Sequence, residues 1–244
     1  MSLESYYPVM LNVQGRRCLV AGGGPVAQRK VQGLLECGAE VVLVSPAVTP
    51  SLAELARQGM ILLLAREYES GDLTGSMLVF ALTNQRQVNA KIAEEAARAG
   101  IPVNVADEAE EGDFILPAVV RRGPLVLTVS TSGASPAYAG RIKDELAERY
   151  DEDLISYVRW LGRLRGHIMR QVSDSGLRRK LLREAIHCTP PEDMEDENES
   201  RLILYIEQLK QKVKRKGHLV HEQQNDYSGN KTERACVDAD RTSN

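Results

Sequence analysis

Apolar residues fall in short, nearly continuous runs at Cys18–Ala21, Val41–Val44, Ile61–Leu64, Met77–Leu82 and Pro102–Val105, separated by segments such as Ala47–Gln58 and Gln85–Ala99 that carry helical spacing. Runs without apolar/polar alternation are those of strands buried on both faces, and their interleaving with helices is the βαβ rhythm of a parallel sheet. Five such strands predict an α/β, Rossmann-like, doubly wound parallel sheet over residues 1–113. Its ligand crevice should lie at the carboxyl ends of the strands.

The pattern changes at Phe114. FILPAVVRRG and PLVLTVSTSG read as two strands joined through Gly123-Pro124, ahead of a helix over Pro136–Tyr150, so residues 114–150 form a small β-containing region outside the nucleotide fold. Residues 151–216 read as a helical C-terminal domain, in which Trp160, Leu161, Leu164 and Ile168 form a core-facing stripe. Within it TPPEDMEDENES is a linker or exposed loop, and a last helix spans Arg201–Lys214. Residues 217–244 are polar and unpatterned, the composition of a disordered tail.

A chain of 244 residues can bury a sizeable core, and its net charge of -3 provides no whole-chain attraction to nucleic acid or anionic lipid. Any anionic ligand must be held by a local patch. The cysteines, Cys18, Cys37, Cys188 and Cys236, are far apart and form no CxxC pair, which fits a reducing cytoplasm. MSLESYYPVMLNVQGRR has neither a basic start nor an apolar h-region, and no run approaches membrane-spanning length. The expectation is a soluble, unprocessed, cytoplasmic protein without membrane or nucleic-acid partners.

The first strand runs into VAGGGPVAQRK, which matches GxGxxA at Gly22, Gly24 and Ala27. Gly22 permits the tight turn, Gly24 lets the backbone approach a pyrophosphate, and Ala27 lets helix and strand pack closely. Gly23 completes the loop. Phosphates would sit at the helix N-terminus against amides such as that of Val26, while Pro25 suits the first helical position. The acid expected about twenty residues on to bind the adenosine ribose is replaced by Ser45. Ser45 can still hydrogen-bond a ribose hydroxyl, and Pro46 and Ala47 can line the adenosine. No Arg stands nearby for a 2′-phosphate, which argues for NAD over NADP. Thr83, ending the strand MLVFALT, either lines the nicotinamide side or caps the next helix.

Together the glycine loop and the motif Asn104-Val105-x-Asp107 ahead of Phe114-Ile115-x-Pro117 resemble the precorrin-2 dehydrogenase/sirohydrochlorin ferrochelatase family, which includes the N-terminal part of siroheme synthases. The resemblance runs from about Tyr7 to Tyr150. It implies NAD-dependent oxidation of precorrin-2 to sirohydrochlorin in siroheme or cobalamin synthesis, followed in some members by iron insertion. It also implies that Asp107 is the essential aspartate. A carboxylate at a strand end can take the proton lost as hydride leaves the macrocycle. The plain alternative for Asp107 is a turn acid in DEAEEGD, and strand-end position with the family motif decides for catalysis.

The resemblance places Asn104 and the turn Ser130, Thr131, Ser132 and Gly133 at the tetrapyrrole, although Ser135-Pro136 can equally be a helix cap and first turn. Between Leu154 and Cys188, Arg159, Arg163, Arg165, Arg170, Arg178, Arg179, Lys180 and Arg183 face only Asp174 and Glu184. That excess either holds substrate carboxylates or is an ordinary solvated face. His167, His187, His218 and His221 form no compact metal motif, and no dedicated metal site is expected. A homodimer is implied by the family's second domain, which exchanges strands and helices between subunits. The segment after Tyr150 is expected to be too short for a methyltransferase domain. Two rivals remain: a non-catalytic NAD-binding regulatory module, which has no use for Asp107, and a 2-hydroxy-acid oxidoreductase, which lacks its usual His and Arg.

Overall fold

The computed structural model describes residues 6–106, 111–152, 154–188 and 199–215. The first elements are β1 (Arg17–Ala21), α1 (Pro25–Glu36), β2 (Glu40–Val44), α2 (Pro50–Arg57), β3 (Leu62–Leu64), β4 (Leu78–Ala81), α3 (Arg86–Ala99) and β5 (Val103–Val105). The strands form one parallel sheet in the order β3-β2-β1-β4-β5. The chain winds outward from β1 to β3, then returns to β1's other side, so the switch of direction falls between β1 and β4.

Successive strand residues serve opposite faces. Cys18, Val20, Val41, Leu43, Leu78 and Phe80 pack with Ala27, Val31 and Leu34 of α1 and Leu52 of α2. Leu19, Ala21, Val42, Val44, Val79 and Ala81 pack with Ile92 and Ala96 of α3. Burial on both faces is why these strands are continuously apolar. The doubly wound sheet expected from the pattern is present with its five strands. Residues Leu64, Val44, Ala21, Ala81 and Val105, the last of each strand, lie in one row across the sheet. The loops after them therefore start at one edge.

Beyond the sheet, β6 (Ala118–Arg122) and β7 (Leu125–Val129) form a two-stranded sheet turned by Gly123-Pro124, with Gly123 at φ 54° where such a hairpin calls for a positive value. The strand expected from Phe114 begins only at Ala118, because Phe114 packs edge-on against Phe80 with ring centroids 5.6 Å apart. α4 (Pro136–Arg149), α5 (Leu154–Gln171), α6 (Ser175–Ala185) and α7 (199–215) follow. Trp160, Leu164 and Ile168 of α5 pack with Leu181 of α6 and Leu202, Ile206 and Leu209 of α7, so the expected stripe is a core.

The chain falls into two compact units. One comprises the chain up to Ala118 together with Thr128–Lys143; the other comprises Val119–Leu127 and the chain from Asp144. Among the described residues no helix is long and apolar enough to cross a membrane. Most of the linker expected in TPPEDMEDENES, and the tail expected to be disordered, 217–244, lie outside the described residues.

Candidate dinucleotide site

At the carboxyl end of β1 the backbone turns sharply, and Gly22 adopts φ 117°. A Cβ at Gly22 would lie 2.4 Å from the Leu82 carbonyl oxygen, and one at Gly23 would lie 2.1 Å from the Ala47 carbonyl oxygen and 2.8 Å from Ser45 Oγ. These two glycines let three loops close on one another. Gly22 N donates to Val44 O at 2.9 Å and Thr49 N donates to Gly23 O at 3.0 Å, which fixes the loop after β2 against the glycine loop. A Cβ at Gly24, by contrast, would meet nothing within 4 Å.

Gly24 is the N-cap of α1 and provides no side-chain cap, and Pro25 follows at the start of the helix. The first amides of α1, including that of the exposed Val26, therefore lack a side-chain acceptor at the helix's positive end. A backbone cradle of this kind fits a pyrophosphate.

The loops after β1, β2, β3 and β4 surround a cavity of about 460 Å³, within the usual ligand-site range of roughly 300–1,000 Å³. It is lined by Gly22, Gly23, Gly24, Val44, Ser45, Pro46, Ala47, Glu67, Tyr68, Leu82, Thr83, Asn84, Gln85 and Val88. The structure thus brings together seven of the residues expected to hold the cofactor, with Pro25 and Val26 opening the adjoining helix. Ser45 is buried, and its hydroxyl donates to Ala47 O at 2.7 Å, so it shapes its own turn and keeps only acceptor capacity for a ligand. Thr83 lines the cavity, and its Oγ1 accepts from Gln85 N at 3.2 Å; Gln85 itself is the N-cap of α3, which has no side-chain cap, so Thr83 steadies the turn into the helix and does not cap it.

Asn89 holds Thr83 in place. Its Oδ1 accepts from Thr83 N at 3.1 Å and from Thr83 Oγ1 at 2.7 Å, and its Nδ2 donates to Thr83 O at 3.0 Å. Asn89 and Glu67 escape a reading by motif. A polar residue on the inner face of α3, at a position where the helical spacing calls for an apolar one, was the only signal for Asn89.

The loop after β3 is braced from both sides of Glu67. Arg66 donates to both oxygens of Asp72 at 2.8 and 2.7 Å, and Tyr68 OH donates to Glu95 Oε2 at 2.8 Å. The hydrogen-bonded guanidinium holds the Asp72 carboxyl below the usual carboxylate range. Burial, reinforced by Glu95, pushes the Tyr68 hydroxyl above its ordinary value and keeps it a donor.

Asp107 lies outside the described residues. Ala106, just before it, donates from its amide to Ala81 O at 2.9 Å at the edge of the sheet. The chain returns to β5 at Asp113, whose Oδ2 accepts from Val103 N at 2.9 Å. Asn104 Nδ2 donates to Phe114 O at 2.9 Å, so its amide anchors the segment that precedes β6.

The turn Ser130–Gly133 is tightly wound. Ser132 at φ 50° is the non-glycine residue with a left-handed backbone among those described, followed by Gly133 at φ 84°. Such a conformation costs a bulky residue about 1 kcal/mol or more. Ser132 N donates to Ser130 Oγ at 3.1 Å and Ser135 N to Thr131 Oγ1 at 2.9 Å. Ser135 Oγ accepts from Tyr138 N at 3.3 Å, so Ser135-Pro136 does cap α4.

In the second unit, Arg159, Arg163 and Arg170 of the basic segment line an open cleft of about 800 Å³ with Gly162, Gly166, His167 and Glu199. His167 is buried, with Nδ1 3.3 Å from Glu199 Oε1. Among the described residues no group of three or more His, Cys, Asp or Glu side chains could hold a metal ion.

The chain matches an NAD(P)-binding family model over residues 9–118 and the sirohaem biosynthesis protein central model over residues 122–149. Siroheme synthase 1 of Aeromonas salmonicida is 37% identical over 175 residues, covering 72% of this chain and 37% of that protein. Siroheme synthase of Methylococcus capsulatus is 36% identical over 174 residues, covering 71% and 37%. The chain thus spans little more than a third of the length of these relatives. A solved structure of SirC, precorrin-2 dehydrogenase, matches with a TM-score of 0.64 and 30% identity, over 84% of this chain and 100% of that one.

Proposed function

This chain belongs to the precorrin-2 dehydrogenase/sirohydrochlorin ferrochelatase family, and from that premise we propose that it oxidises precorrin-2 to sirohydrochlorin with NAD⁺ in siroheme or cobalamin synthesis. The observation that carries the reading is the glycine-lined cleft at the switch between β1 and β4. The nicotinamide ring, when bound, accepts the hydride.

The protein's own residues do the rest. Gly22, Gly23 and Gly24 bring backbone against the pyrophosphate, and the first amides of α1 hold it. Ser45, Pro46 and Ala47 line the adenosine, and Thr83, fixed by Asn89, stands on the nicotinamide side. Asp107, the second residue in sequence after the end of β5, takes the proton that precorrin-2 loses as its hydride departs. Asn104 has its Nδ2 committed to Phe114, which leaves Oδ1 to meet substrate. The hydroxyls and amides of Ser130, Thr131, Ser132 and Gly133 receive the carboxylates and flat ring of the tetrapyrrole. The setting is a reducing cytoplasm, in keeping with Cys18, Cys37 and Cys188, none of which forms a disulfide.

Asp107→Ala tests the assignment. We expect NAD⁺ to bind as to wild type while precorrin-2 oxidation falls by about 10²-fold or more, the usual worth of a positioned acid or base. Unchanged turnover would remove Asp107 from the chemistry. Nucleotide binding with no turnover in wild type either would favour a non-catalytic NAD-binding module.

A further inference from the structure

We propose that Glu67 selects NAD against its 2′-phosphorylated form, supplying from the loop after β3 the carboxylate that dinucleotide-binding folds usually carry at the end of β2. The inference rests on the dehydrogenase reading above. β2 ends in Val44-Ser45 without an acid, and the Ser45 hydroxyl is donated to Ala47 O. Because β2 and β3 pair in register, with Val44 beside Leu64, the loops after both strands leave the same edge, and Ser45 N donates to Leu64 O at 3.1 Å. Glu67, three residues beyond Leu64, therefore reaches the adenosine side of the cleft. Among the described residues lining that cleft it is the only one that is charged.

The flanking residues hold Glu67 there. Arg66 binds Asp72 through both terminal nitrogens and donates to Glu67 O at 2.9 Å. Tyr68 is held by Glu95, whose other oxygen accepts from Gly71 N at 2.6 Å. None of these bonds uses the Glu67 carboxylate, which is exposed. The bracing also removes a competing possibility, since Arg66, the cation next in sequence, is committed to Asp72 and does not stand ready for a phosphate. A ribose 2′-hydroxyl can donate to Glu67; a 2′-phosphate would meet like charge with no cation in the cleft lining to offset it.

Calorimetric titration of the full chain with NAD⁺ and NADP⁺ tests this without reference to turnover. Wild type is expected to bind NAD⁺ at least about tenfold more tightly, with the preference narrowing at high salt because part of it is charge repulsion. Glu67→Gln should lower the NAD⁺/NADP⁺ ratio about tenfold, mainly by tightening NADP⁺, and Glu67→Arg should invert it. If wild type discriminates and both variants keep its ratio, Glu67 is not the selector while the NAD reading stands. If wild type binds the two nucleotides equally or prefers NADP⁺, the choice of NAD fails and this assignment with it. The Glu67 side chain is exposed, so circular dichroism should show both variants folded as wild type.

Discussion

Gly23 and Gly24 are adjacent in the loop after β1, yet the space around them differs completely. A methyl group at Gly23 would overlap the Ala47 backbone, and carbonyl atoms of a neighbouring loop cannot step aside as a side chain could. Gly23→Ala should therefore cost about 1–3 kcal/mol, as overpacking does, and abolish nucleotide binding. Gly24 has ordinary dihedrals, φ -80° and ψ -175°, and open space beyond its Cα. Gly24→Ala should melt at the wild-type temperature and still lose affinity for NAD⁺ by about tenfold or more, because its methyl enters the path of the pyrophosphate. Thermal unfolding and titration of the two variants together check this. A Gly24→Ala variant that binds normally would mean that the phosphates lie elsewhere.

Which residues gather at the cleft was legible only in part at this scale. The glycine loop announces itself because its spacing encodes its own turn. Glu67 and Asn89 do not, because each reaches the site through a pairing distant in sequence: β3 beside β2, and α3 beneath the loop after β4. The segment VVLVSPAVT offered Ser45 in place of an acid, and nothing local to it shows that Glu67 shares its cleft.

Strands and helices were largely legible because burial on both faces writes an unbroken apolar run. Boundaries were less so where an element is short, as in β3 and β5 with 3 residues each, and where an aromatic found a better partner, as Phe114 did against Phe80. The loop after β3 is the element whose stability should answer to acid. Arg66 holds the folded-state Asp72 carboxyl low, whereas in the unfolded chain it titrates at about 3.9. The depressed value means that the stabilisation is complete above the unfolded pKa and lost as pH falls through the folded one. Asp72→Asn should lower Tm by about 2–4 °C at pH 7, and the gap to wild type should close as pH falls below the unfolded-state value and through the depressed folded one. A constant gap across that range would show that Asp72 acts by packing alone. Loosening this loop should also weaken NAD⁺ binding, since Glu67 sits between its two anchors.

At the scale of the whole molecule, the hairpin of β6 and β7 asks for a partner. A two-stranded sheet is marginal by itself. Its strands bury fully only Val120, while Val119 on β6 and Leu116 just ahead of it are substantially exposed. We propose that a second copy of the chain covers this region. Light scattering should give twice the mass of the chain at micromolar concentration, and Val119→Lys should shift it toward the monomer; a monomeric wild type would contradict the proposal. Turnover itself is read by anaerobic incubation of the metal-free protein with precorrin-2 and NAD⁺, following the visible spectrum. A precorrin-2 dehydrogenase should give the spectrum of sirohydrochlorin with one NADH formed per macrocycle oxidised. An unchanged spectrum from protein shown to bind NAD⁺ would contradict the dehydrogenase reading.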